Sequence, residues 1–269
     1  MDLSPSSLLA LYDEQLRTDA ETPSARAVTR LGPLRLVTFD GGRGFITYRD
    51  LDGTEASAVR NLVAGALEHY RADPSVDRVE WKTRGHDAAP DLHRALLEHG
   101  FAPQEQEVVV MGDARSLAID VTIPAEVGLR QVTSEKDVRA MSAMQDEVFG
   151  DPVSPRYADA LLRRLATGDG MELWVAEVAR RMVGAARLEP VAGSEVAGLW
   201  GGAVRAEWRG RGIYRALTAA RARSALRLGK RLLHSDCLPD SRPVLERSGL
   251  VPITTTTPYL WRRTPLPQP

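Results

Sequence analysis

Along this chain the spacing of apolar residues switches repeatedly between a period of two and a period near 3.6, which predicts short strands interleaved with amphipathic helices. In the first half, residues 33–39 and 44–48 read as strands around a Gly41-Gly42 turn, and 54–70 reads as a helix. A strand over 76–82, a helix over 89–99 and a strand over 107–111 follow. The second half opens with a strand over 127–132. Ser134-Glu135-Lys136-Asp137 then has the make-up of a helix start, with Ser134 as N-cap and acidic residues in the first turn. Val138, Met141, Gln145 and Val148 continue it at helical spacing, and Ser154-Pro155 opens a second helix with proline at its first position. Residues 173–178 and 182–188 read as paired strands, 195–204 as a glycine-rich strand, and Ile213, Leu217, Ala220, Ser224, Leu226 and Leu228 as one face of a helix ending at Gly229. A strand through Leu232-Leu233, a helix from Ser241 and a last strand carrying Tyr259 close the chain. Residues 114–125 lack sustained periodicity and contain Pro124, so the division between halves is expected there.

The two halves echo each other. Displaced by 149 positions, Asp87 meets Asp236, Pro90 meets Pro239, Asp91 meets Asp240, Leu96 meets Leu245, Gly100 meets Gly249 and Pro103 meets Pro252. These matches occupy equivalent points of one strand, turn, helix and strand pattern, which a duplicated fold explains.

One segment carries chemistry. Val204 to Leu217 reads as a strand end, a basic loop with Gly210 and Gly212, and a helix start. Closely spaced glycines let several backbone N–H groups turn toward one point, and the helix adds the positive end of its dipole. Arg209, Arg211 and Arg215 supply charge that pairs with phosphate oxygens. A solvated turn would also accommodate these residues; the flanking strand and apolar helix favour an anion site. No Gly-Lys-Ser/Thr follows the glycines, so the loop is not a P-loop, and it does not match the dinucleotide fingerprint.

Arg209-Gly210-Arg211-Gly212-Ile213-Tyr214 resembles the phosphate-binding motif of the GNAT superfamily of acyl-CoA-dependent N-acyltransferases. Glu207, Arg215-Ala216-Leu217, the helix from Ser241 and Gly249-Leu250 agree with it, over roughly residues 127–263. The resemblance implies an α/β chain of two GNAT-like domains, each a mixed, mostly antiparallel sheet flanked by helices. Residues 1–114 would be a degenerate domain without the phosphate loop, 115–126 a linker, and 127–269 the acyl-CoA-binding domain. In the first half, the acidic turn Asp50-Leu51-Asp52-Gly53-Thr54-Glu55 would repel a diphosphate, leaving that half a role in packing, substrate enclosure or homodimer contacts.

The implied reaction is direct attack of an amine on the thioester of acetyl-CoA, a co-substrate. Ala203, Val204, Arg205, the 209–215 loop (Arg209, Gly210, Arg211, Gly212, Ile213, Tyr214, Arg215) and Ser241 are its expected contacts. Trp200, Phe149, Glu147 and Tyr157 are expected on the acceptor side. The chain departs from the family at several points: Tyr214 replaces Gly or Ala, Leu245 the usual tyrosine acid, Leu238 an asparagine, Leu250 a phenylalanine, and Gly198 a strand carboxylate. Asp236 and Tyr259 are the substitutes expected to move protons. The leading reading is N-acetylation of a small amine; a protein or peptide N-acetyltransferase and a non-catalytic acyl-CoA-binding module are the alternatives.

Charge is balanced, with 35 basic and 36 acidic residues, which argues against nucleic acid as a partner. One cysteine, Cys237, excludes an internal disulfide framework, and no Cys/His cluster has metal-ligand spacing. Neither a signal segment nor a run of about 18 apolar residues is present, so a cytoplasmic protein without membrane attachment is expected.

Overall fold

The computed structural model describes residues 3–263, which form eight α-helices and twelve strands. They fall into two compact units. The first is built from Leu9–Val108 with the chain from Thr254 onward, the second from Val109–Ile253 with the opening residues up to Leu8. The division thus lies at Val109 rather than within 115–126, and the closing strand is counted with the first unit.

After helix α1 (Pro5–Gln15), the first unit contains β1 (Ala27–Leu31), β2 (Leu34–Phe39), β3 (Arg43–Tyr48), α2 (Ala56–Ala72), β4 (Arg78–Arg84), α3 (Leu92–Glu98), β5 (Ala102–Pro103) and the start of β6 (Glu107–Asp113). Its strands run in the order β1-β2-β3-β4, followed by β12 (Val251–Arg262). The β3/β4 pair is parallel and the β1/β2, β2/β3 and β4/β12 pairs are antiparallel. Leu36, Ile46, Val63, Leu67, Trp81 and Leu96 form its core, each within 2% of full burial. Arg17 is buried beside it, donating to Asp87 at 2.8 Å and to the Tyr48 carbonyl at 3.2 Å. Arg84, equally buried, pairs with Glu21 and donates to Thr47 Oγ1 at 2.9 Å.

The second unit contains the rest of β6, α4 (Ala114–Leu117), β7 (Gly128–Val132), α5 (Glu135–Phe149), α6 (Pro155–Thr167), β8 (Glu172–Val178), β9 (Arg181–Pro190), β10 (Val196–Val204), α7 (Ile213–Arg227), β11 (Leu232–Cys237) and α8 (Arg242–Arg247). Strands run β6-β11-β10-β9-β8-β7, with β10/β11 parallel and β7 to β10 antiparallel. Each unit therefore sets one parallel pair beside antiparallel strands, the arrangement a duplication predicts. Ser134 does cap α5, accepting from the Asp137 N–H at 3.2 Å.

Strand alternation sends neighbouring side chains to opposite faces. Val175 and Ala185 pack with Val138 and Met141 of α5, whereas Ala176 and Val183 pack with Ile213 and Leu217 of α7. Of the expected linker 115–126, residues up to Leu117 belong to α4, and the rest runs as irregular chain along α7's side of the unit, which is why it shows no period. Ile123 packs with that cluster, and Arg223 donates to the Ile119 carbonyl at 2.7 Å.

Candidate active site

Beyond β10, a single 3-10 turn (Ala206–Trp208) delivers the chain into the basic loop, and Gly212 caps α7. Gly212 has φ +80°, and a Cβ there would stand 2.7 Å from the Thr122 carbonyl oxygen, so only glycine fits. The loop and the first turn of α7 enclose a cavity of about 220 Å³ lined by Val204, Trp208, Arg209, Gly210, Gly212, Ile213, Tyr214, Arg215 and Val244. Arg211 lies over the Trp208 ring at 4.8 Å from its centroid, a contact that steadies a long cationic side chain. Arg209 spends its Nε on the Val204 carbonyl at 3.2 Å, bracing the loop. Arg205 is committed elsewhere: it pairs with Glu147 at 2.8 Å and donates to the Met182 carbonyl at 3.0 Å.

Strand β10 changes register against β9 between Trp200 and Ala203, and its parallel pairing with β11 runs only from Val196↔Leu232 to Gly198↔His234. Beyond that point the two strands diverge, apart from a Ser235 Oγ bond to the Leu199 carbonyl at 2.9 Å. The bulge is held from both faces. On one, the buried Gln145 of α5 donates to the Gly201 carbonyl at 2.6 Å; on the other, Arg221 of α7 donates to the carbonyls of Arg187 at 3.1 Å and Trp200 at 3.5 Å.

Of the expected acceptor residues, Trp200 stands edge-on to His234 at 5.2 Å between ring centroids. A Cβ on Gly198 would come within 2.2 Å of Trp200 Nε1 and 3.1 Å of His234 Nε2, so the indole and imidazole fill the place where a strand carboxylate was sought. Tyr157 accepts from Arg187, which pairs in turn with Glu189, itself bound by Arg164 at 2.5 Å. Burial opposes the charge on Glu189, yet Arg187 and Arg164 hold its carboxyl below the usual glutamate range. Glu147 is taken up by Arg205, and Phe149 is exposed at the end of α5.

Asp236 lies half-buried on β11, two residues beyond His234 and therefore on the same strand face. Tyr259 belongs to the other unit, because β12 pairs there with β4; its hydroxyl shares a 2.5 Å hydrogen bond with His93 Nδ1. Ser241 stands at the start of α8, near enough to the Tyr214 hydroxyl to ease its ionisation, and donates to the Leu238 carbonyl at 3.3 Å. Arg187, Arg221 and His234 escape a sequence reading because charged and polar residues there look like solvated faces, and Gln145, though on the stripe of α5 with Met141 and Val148, carries no mark of its bond to β10. Arg221 did leave one signal, four residues after Leu217 on the apolar stripe of α7.

Among the described residues no group of three or more His, Cys, Asp or Glu could hold a metal ion, and no helix is long and apolar enough to cross a membrane.

Residues 138–249 match the model of the acetyltransferase (GNAT) family. Among solved structures, a GCN5-related N-acetyltransferase from Kribbella flavida is similar over 96% of this chain and 95% of that one, with a TM-score of 0.68 at 16% identity. A GCN5-related N-acetyltransferase from Sphaerobacter thermophilus has a TM-score of 0.63 at 17% identity, covering 86% and 76%. A tandem GNAT protein from the clavulanic acid biosynthesis pathway covers 99% of this chain and 98% of its own, with a TM-score of 0.61 at 16% identity. At such identities the likeness is one of fold. Curated proteins yield no sequence match.

Proposed function

Because residues 138–249 form an acetyltransferase domain of the GNAT family, we propose that the chain transfers an acetyl group from acetyl-CoA to the primary amine of a small molecule, by direct attack in a ternary complex. The observation that carries this reading is the basic loop at the start of α7, with its cavity of about 220 Å³.

The diphosphate is held by the N–H groups of the loop and of α7's first turn, with Arg211 and Arg215 supplying countercharge. From there the pantetheine arm follows Ala203 and Val204 into the gap where β10 and β11 part. The amine approaches from the face that carries Trp200, His234 and Asp236. Asp236 takes up the amine's proton as the C–N bond forms, and the fixed pose supplies part of the rate by proximity. The first half holds no coenzyme in this reading. Its acidic 50–55 turn repels a diphosphate, and Arg17, the residue beside Asp87, is already neutralised by that carboxylate.

Release of free thiol from acetyl-CoA, followed across a panel of primary amines, tests the proposal. Amine-dependent release is expected, and Asp236→Asn should lower kcat about a hundredfold while CoA affinity stays unchanged. The buried Leu245, standing at the usual position of the tyrosine acid, favours a second reading, an acyl-CoA-binding module without catalysis. That reading requires CoA affinity with no amine-dependent release.

A further inference from the structure

If thiolate leaves at the β10/β11 gap, some group must return a proton to it, and the helix that would ordinarily supply a tyrosine presents Leu245, 1% exposed. A phenol beside the gap comes instead from α7. Tyr214 lines the cavity, and a Cβ on Gly202 would lie 2.6 Å from its Cε2, so the ring rests directly on the bulged backbone of β10. Cys237, the last residue of β11, and Ser241, at the start of α8, are both close enough to act on its hydroxyl electrostatically. Tyr214 therefore stands against the bulged part of β10, beside the gap that the acetyl group must enter.

Behind it stands an unusual charge. Arg221, two turns further along the same face of α7, is 1% exposed. Its guanidinium donates to the carbonyls of Leu217, Arg187 and Trp200 and to Thr218 Oγ1, with no carboxylate partner among the described residues. Thr218 Oγ1 in turn donates to the Tyr214 carbonyl at 2.9 Å, tying the two residues to one spine. A buried cation without a counter-ion is costly unless something nearby becomes negative. Burial pushes its pKa down to about 10, with Arg187 adding to that push and Tyr214 opposing it. Burial likewise raises the Tyr214 phenol, which keeps its proton at neutral pH, while Arg221 eases the phenolate.

We propose that the Tyr214 hydroxyl protonates the departing thiolate, with Arg221 steadying the phenolate and Ser241 linking it to solvent. The inference rests on the acetyl-transfer reading above. As the C–N bond forms, the C–S bond breaks and its electron pair stays on sulfur. The Tyr214 O–H proton passes to that sulfur and gives the free thiol. The phenolate left beside Arg221 regains a proton from solvent through the Ser241 hydroxyl, while the proton surrendered by the amine leaves through Asp236.

Tyr214→Phe keeps the ring on Gly202 and removes only the hydroxyl. Calorimetric titration with CoA and thiol release with the best amine of the panel are measured on wild type, Tyr214→Phe and Ser241→Ala. The expected result is a CoA affinity within about threefold of wild type for both variants, with kcat lowered about a hundredfold in Tyr214→Phe and several-fold in Ser241→Ala. Retained CoA affinity also certifies that each variant is folded. Wild-type kcat in Tyr214→Phe, or faster turnover in Tyr214→Gly, would overturn the donor role and leave acetyl transfer standing. Absence of amine-dependent release in the wild type would overturn both.

Discussion

Ala179 and Arg180 join β8 to β9 with φ of 46° and 67°, both in the left-handed region where side chains are strained. Val178 pairs with Arg181 across them, so they form a two-residue hairpin of the kind that Asn-Gly serves best. Replacing the pair by Asn-Gly is expected to stabilise the protein by about 1–2 kcal/mol. Urea unfolding reads this as a higher midpoint with an unchanged slope; an unmoved midpoint would show that the turn carries no strain. The sequence placed a turn at these residues from the strand pattern alone, but their strain was invisible because neither is glycine. Tyr214 was invisible in another way. Its identity marked a departure from the phosphate-loop pattern, yet only the approach of its ring to Gly202 shows where it points.

At the scale of elements, the sequence foretold those whose apolar period survives in isolation, among them α2, α5, α6 and the β8/β9 pair, and it found α7 through its glycine start. Helix α1 and strand β1 escaped it. The first is weakly amphipathic, and β1 is exposed along nearly its whole length as an edge strand, so neither shows the contrast that periodicity detects. Buried polar networks are equally silent in sequence. Arg164, Arg187 and Glu189 connect α6 to β9, and removing one member of such a set strands the others, at a cost of about 3 kcal/mol. Glu189→Gln should therefore lower stability by roughly that amount at pH 7. A carboxyl held below its unfolded pKa contributes fully above that value, near pH 4.3, and loses the contribution as pH falls through the folded one. The gap between wild type and variant in urea midpoints should accordingly close under acid conditions. A gap that persists unchanged to pH 3 would mean that packing, rather than charge, is what the glutamate supplies.

For the whole molecule, the six matched positions between the halves pointed to a duplication, and both units indeed set a parallel strand pair among antiparallel ones. The placement of the final strand was not legible, since β12 carries no residue whose chemistry distinguishes one unit's β4 from the other's β11. The halves differ at the one place where a coenzyme would bind. One follows its strand with a basic, glycine-hinged loop and the other with an acidic turn and the neutralised Arg17–Asp87 pair. Where CoA binds, and how many molecules bind, is therefore the decisive question. Calorimetric titration of the full chain with CoA should give one site per chain, and Arg211→Glu, which reverses charge beside the cavity while leaving the fold's cores untouched, should abolish it. Two sites per chain, or an Arg211→Glu variant that binds CoA as tightly as wild type, would contradict the assignment of the loop.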